Sequence, residues 1–344
     1  MVTIKIPVKK KVTLGVTSNE KETWGNKPSA ENENTLSPAL TQDKNVSVPI
    51  PFIDRLSVVA EITDKALGSA VHHAVWANHE AKDDFKSTKK PNGFKCAWKL
   101  ALPSLVSSKH WPHLSYAYDK TNDGVFFATK LRLDFVPVDL GAQGMIELDA
   151  FLGSNIEGGW SYFIEHGHVT RLDVTVDFPT LTMQDFHYLH PQGLSIKEWR
   201  QNGALETFQV GKPAGNHTSI YDRAAKRKAQ KSEKPGKVGV RIERRLKKVK
   251  FPLKDLASYK NPLAEFALVE RCPGPPPGEA KPYIWDLFMA AANQTSLTHA
   301  LALLPKEKKA LYRQHMQQHV QPWWKPEESW AHWPTMLKKM MLAL

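Results

Sequence analysis

Tyr221, Asp173, Asp177 and Glu243 are side chains whose types and spacing suit chemistry at a phosphate. A tyrosine hydroxyl becomes a nucleophile once its proton is taken, and carboxylates are hard oxygen ligands for Mg or Mn, which polarise a phosphoryl group. With a reference pKa of about 10, a tyrosine is almost wholly protonated at neutral pH, so a metal or a base must assist. Arg241 or Lys226 would stabilise the phenolate, and His217 is a candidate general base or metal ligand. Asp173 and Asp177 lie four residues apart on a strand, about 13 Å at roughly 3.3 Å per residue and too far for one ion without a bend. Asp173 with Glu243 is therefore the favoured ligand pair, leaving Asp177 to a metal at the strand end or to orienting Arg171. Plain structural roles stand beside these: a half-buried tyrosine at 221, with Tyr116, Tyr118 and Tyr162 also on expected strands, and an Asp173–Arg241 ion pair.

The elements that must position these residues follow from alternation, since successive strand side chains point to opposite faces. In LDVTVDF (172–178) Leu172, Val174, Val176 and Phe178 share one face; Arg171, Asp173, Thr175 and Asp177 share the other. In TSIYDR (218–223) Ile220 opposes His217, Ser219 and Tyr221, and in GVRIERRLKK (239–248) Val240, Ile242 and Leu246 oppose Arg241, Glu243 and Arg245. Val238 continues that apolar side. Three such strands in one sheet, apolar sides on a common core, would gather acid, base and tyrosine on one polar surface.

The net charge of +12 is concentrated: residues 223–250 hold thirteen Lys or Arg against Glu233 and Glu243. Clustered cations beside strands favour a polyanion, with steeply salt-dependent binding. Arg223, Lys226, Arg227, Lys228, Lys231, Arg244, Arg245, Lys247 and Lys248 are the candidate contacts, a solvated basic loop being the plain alternative. Cys96 and Cys272 lie far apart without His or Cys at ligand spacing, which predicts two thiols and neither a zinc site nor a disulfide framework. No apolar run approaches a membrane span and the start does not look like a signal peptide, so a soluble intracellular protein is expected.

Composition divides the 344 residues into a polar arm predicted to be disordered (1–50), an α+β domain (51–251) and a helical region (252–344). Strands are expected over FIDRLSVVAEI, LSYAYDK, GVFFATKLRLDF, GMIELDAF, WSYFIEHGHVTRLDVTVDF, ALETFQV, HTSIYDR and KVGVRIERRLKKVKF, with turns at Gly141, Gly144, Gly158 and Gly159. Helices are expected at 64–80, 181–190 and 195–202, the last from a Ser195/Glu198 capping box, and around DLASYKNPLAEFALVE, YIWDLFMAAANQ, SLTHALALL, KEKKALYRQHMQQH and SWAHWPTMLKKMML, with CPGPPPGEAKP a stiff connector. That mixture predicts a largely antiparallel sheet with flanking helices. The tail tryptophans Trp323, Trp324, Trp330 and Trp333 are either base-stacking platforms or, more commonly at such spacing, a helical core or a partner surface.

With these motifs placed, IDRLSV (53–58), TRLDVTVDF (170–178), SIYDRAAKR (219–227) and VRIERRLK (240–247) together resemble the replication initiation factor family of rolling-circle plasmid and filamentous-phage initiators and relaxases. The resemblance covers roughly residues 52–250. It departs at Arg223, where the family often has Lys, and before Tyr221, where VGKPAGNHTSIY replaces a Gly-Ser-Arg stretch. It implies a fold related to the His-hydrophobic-His nickases with carboxylates holding Mg or Mn; here HGH (166–168) and HWPH (110–113) do not make that histidine motif. It further implies strand nicking at a replication origin through Tyr221, a homodimer, recruitment of a host helicase and polymerase, and a bacterial cytoplasmic, nucleoid- or plasmid-associated location. A DNA-binding protein of the same fold without catalysis, and a metal nuclease using water, are the competing expectations.

Overall fold

The structure, a computed structural model, describes residues 46–81, 85–191, 194–201, 204–229 and 238–342. The expected disordered arm, but for residues 46–50, and Lys231 lie outside them. In chain order the elements are β1 (Phe52–Glu61), α1 (Lys65–Ala81), β2 (Phe85–Ser87), β3 (Cys96–Leu100), β4 (His113–Lys120), β5 (Phe126–Phe135), α2 (Pro137–Gly153), α3 (Gly159–His166), β6 (Gly167–Phe178), β7 (His187–Leu189), β8 (Ile196–Gln201), β9 (Ala204–Val210) and β10 (His217–Asp222). They continue with α4 (Arg223–Ala229), β11 (Val240–Leu246), β12 (Phe251–Pro252), β13 (Ala267–Val269), α5 (Pro282–Gln294), α6 (Leu297–Leu303), α7 (Lys306–Gln318), α8 (Pro326–Ala331) and α9 (Trp333–Lys339).

One antiparallel sheet runs β2-β3-β4-β5-β1-β6-β11-β10-β9-β8, with β12 added beside β6. The expected α+β class with a largely antiparallel sheet is what the chain adopts. β6 is central because its alternation is strict: Leu172, Val174 and Val176 are fully buried, each contributing about 1.5–3 kcal/mol from apolar burial. Gly239 sets β11 against the end of β6: its φ is +99°, and a Cβ there would fall 2.2 Å from the Phe178 carbonyl oxygen. A side chain at 239 would push the two strands apart.

The apolar face carries a core into which the carboxyl-terminal segment also packs: Trp324 and Trp333 are buried, Trp323 and Trp330 partly so. Trp333 donates its indole N–H to the Leu256 carbonyl at 2.9 Å and Trp330 to the Tyr259 carbonyl at 3.2 Å, so these rings are core and not base platforms. A second cluster gathers Trp285, Phe288, Leu301, Tyr312 and Met316.

Several expected elements are corrected. GMIELDAF is helix, because Leu140, Met145, Leu148 and Leu152 are buried at helical spacing along α2. Residues 160–166 belong to α3, with Gly158 just before it and Gly159 at its first position, both at positive φ, while Gly144 lies inside α2. Within the helix expected at 195–202, Ile196–Gln201 form β8: so short a helix is marginal alone, whereas pairing with β9 satisfies the backbone, and Glu198 holds Arg200 at 3.0 Å. Residues 181–190 hold the short strand β7 paired with β13, and 253–265 carries 3-10 turns. The helix at 64–80 and the strands at 52–62, 114–120 and 124–135 stand as expected, within a few residues at their ends.

Candidate active site on the polar face of the sheet

Register places the chemistry in rows across the strands. Trp199, Thr207, Tyr221, Arg241 and Asp177 lie opposite one another from β8 to β6. The next row is Lys197, Gln209, Ser219, Glu243 and Thr175, and the next His217, Arg245, Asp173 and Arg55. Tyr221, Asp173 and Glu243 thus share one face within three adjacent rows.

β10 ends at Asp222, whose carboxylate accepts the Ala225 N–H at 2.9 Å and starts α4 at once. The tight start folds Lys226 back, so that its Nζ lies 3.5 Å over the Tyr221 ring and 3.5 Å from Glu243. The Tyr221 hydroxyl donates to Glu243 Oε1, and Arg245 grips the other carboxylate oxygen, its Nε at 2.9 Å. Burial opposes the charge on Glu243, yet Arg245, Lys226 and the Tyr221 hydroxyl hold its carboxyl below the usual range. Burial first and the Glu243 charge second push the Tyr221 phenol well above its ordinary value. Lys226 is lowered by burial, with Glu243 opposing. At rest the phenol is therefore neutral, its proton directed at a carboxylate.

A neighbouring set holds Asp177. Arg241 binds it with two bonds, Nε at 2.6 Å and Nη2 at 2.9 Å, and Arg223 adds a contact at 3.1 Å. Asp173 is held by Arg171 at 3.0 and 2.5 Å. The pairings expected from sequence are exchanged: Asp173 takes Arg171, and Asp177 takes Arg241, its direct cross-strand partner.

The sequence reading left out Asp54. β1 slips by one residue between Ile53 and Arg55, and this bulge turns Asp54 toward Arg241 at 3.5 Å. The signal was legible: buried Ile53, Leu56 and Val58 are spaced three and then two apart, breaking the alternation at Asp54. Burial first, then the charge of Glu243, raises the Asp54 carboxyl against the opposing pull of Arg241. Among the described residues no three His, Cys, Asp or Glu side chains are set to hold one metal ion as they stand. Thr175, buried and directly opposite Glu243, has a hydroxyl oxygen without a hydrogen-bond partner.

Two clefts open beside Tyr221. One, of about 320 Å³, is lined by Asp54, Lys109, Tyr221, Arg223, Lys226, Arg227, Arg241 and Glu243, five cations against two carboxylates. The other, of about 340 Å³, is lined by Trp199, Glu206, Thr207, Gln209, Ser219, Tyr221, Lys226 and Arg245.

No family model and no curated protein matches the chain. Among solved structures it is similar to the rolling circle replication initiator protein from Geobacillus stearothermophilus, at 14% identity over 72% of this chain and 98% of that one, with a TM-score of 0.36.

Other expected site residues fall elsewhere. His217 lies four residues along β10 from Tyr221, about 13 Å, and hydrogen-bonds the Gly215 carbonyl through Nδ1 at 3.0 Å. The phenol's partner is Glu243 instead. Arg244 takes the opposite parity from Arg241, Glu243 and Arg245 and is held by Glu265 and by Thr218, away from both clefts. Lys228 is exposed on α4; Lys247 and Lys248 stand at the far end of β11, where both backbone N–H groups donate to Asn216. Cys96 and Cys272 are both thiols. No helix among the described residues is long and apolar enough to cross a membrane.

Proposed function

We propose that this chain is a replication initiator that binds an origin and nicks one strand by transesterification at Tyr221. The carrying observation is the Tyr221 hydroxyl bonded to Glu243 at the junction of two clefts, one of them strongly cationic. The Tyr221 oxygen attacks phosphorus as its proton passes to Glu243. A bond from Oη to phosphorus forms, the bond from phosphorus to the 3′ oxygen breaks, and that oxygen leaves as a 3′-hydroxyl after taking a proton. The ester energy is kept in the protein–DNA link, so the strand can be rejoined. Lys109, Arg223 and Arg227 line the wall against which the flanking phosphates would lie, and Lys226 over the ring favours developing phenolate.

Asp54, Asp173 and Glu243, with Thr175, are the residues that would hold Mg or Mn. Their oxygen donors and the unpartnered Thr175 hydroxyl fit such an ion. Bound there, it would polarise the scissile phosphate and offset the carboxylate charge that keeps the phenol protonated. Asp177 is committed to positioning Arg241 and Arg223. The same reading carries origin DNA, a second copy of the chain and a host helicase and polymerase as partners.

A second reading, a DNA-binding protein without catalysis, is favoured by one observation: Tyr221 is 5% exposed, roofed by Lys226. Supercoiled plasmids carrying fragments of the replicon that encodes the chain, incubated with Mn, separate the two. The nickase yields an open circle with a tyrosyl-DNA peptide at residue 221 in the mass spectrum, and Tyr221→Phe yields none. A binder shifts the plasmid and leaves it closed; a nuclease using water still cuts as Tyr221→Phe.

A further inference from the structure

We infer that Trp199 is a stacking platform for one unpaired nucleobase of single-stranded DNA, in the cleft that continues the Tyr221 site toward the sheet edge. Trp199 is 46% exposed on β8, the edge strand, an unusual place for so large an apolar surface. It occupies the same row as Thr207 and Tyr221, two strands from the tyrosine. At about 4.8 Å per strand spacing that is roughly 10 Å, within the span of a nucleotide whose phosphate lies at Tyr221.

The cleft is graded to match such an occupant. Lys226 and Arg245 stand at the end shared with Tyr221, the polar groups of Ser219, Thr207 and Gln209 and the Glu206 carboxylate line the rest, and the indole stands on the edge strand. Phosphate needs the first, a base edge the second, and a base face the third. Every base has a π-face, so the platform tolerates sequence, while a base still paired in a duplex cannot reach it. The strand must therefore be unpaired beside the scissile phosphate. Placing that phosphate at Tyr221 rests on the nickase reading above; the stacking itself does not.

The test uses the full chain carrying Tyr221→Phe, which removes cleavage, and fluorescence anisotropy with a labelled ten-residue thymidine oligonucleotide and an abasic oligomer of the same length. Trp199→Ala weakens thymidine binding about tenfold or more, Trp199→Phe recovers most of it, and neither changes affinity for the abasic oligomer. Equal affinities of wild type and Trp199→Ala for the thymidine oligomer overturn the inference, as does the same loss on both oligomers or a chain that holds neither. Trp199-dependent binding in a chain whose wild type never nicks overturns only the nickase reading.

Discussion

Tyr221 donates its hydroxyl hydrogen bond to Glu243 across one strand boundary and one row, although its direct cross-strand partner is Arg241. Diagonal pairs of this kind sit about 7–8 Å apart at the backbone, within reach of long side chains. The geometry fixes where the phenol proton can go and makes Glu243 answerable to three partners: Tyr221, Arg245 and Lys226.

Glu243→Gln keeps the shape but removes the proton acceptor and the countercharge of Arg245 and Lys226. Nicking should fall by about 10²–10⁴-fold, and urea denaturation should show a loss of about 1.5–3 kcal/mol from hydrogen bonds to a charged group. Nicking within twofold of wild type would remove Glu243 from the proton path.

The depressed Glu243 carboxyl also sets an acid limit. A group whose folded pKa lies below its unfolded value contributes stability above the unfolded value, here 4.5, and loses it as pH falls through the folded one. Denaturation midpoints followed downward from pH 5 should drop less in Glu243→Gln than in wild type. Parallel curves would contradict the assignment.

Asp54 has the opposite sign. Its raised carboxyl costs stability that accrues as pH climbs above the unfolded 3.8 and is complete above the folded value, and well below 3.8 the cost is gone. Asp54→Asn should melt a few degrees higher than wild type at pH 7 and equally at pH 3. Mn at about a hundred times its dissociation constant should stabilise wild type by about 2.7 kcal/mol, and Asp54→Asn far less. An identical Mn shift in both would exclude Asp54 as a ligand.

The cations divide by face. Lys228→Ala should reduce the slope of log affinity against log salt by about one, without loss of stability. Arg244→Ala should leave that slope alone and destabilise the fold, because it abandons Glu265 and Thr218. Isothermal binding titrations at four salt concentrations, with melting curves, distinguish them; a lowered slope in Arg244→Ala would mean the residue meets DNA.

Alternation in LDVTVDF, HTSIYD and VRIERRL determined by itself that Asp173, Tyr221 and Glu243 each stand on the polar side of their own strand, because strand side chains obey a period of two whatever the partner strand; that the three sides form one face came from the pairing. Basic clustering after residue 222 was equally local, being a property of composition. Tertiary structure decided the rest. Register paired Arg241 with Asp177 and put Glu243 under the phenol; a slip along the strand would have re-paired every ion. The β1 bulge brought Asp54 in, and pairing with β9 made a strand where the capping pattern at Ser195 pointed to a helix, presenting Trp199 at the edge. Such contacts join residues far apart in the chain, and their energies belong to the pair and not to either segment; only the bulge left a local trace, in the broken spacing of Ile53, Leu56 and Val58.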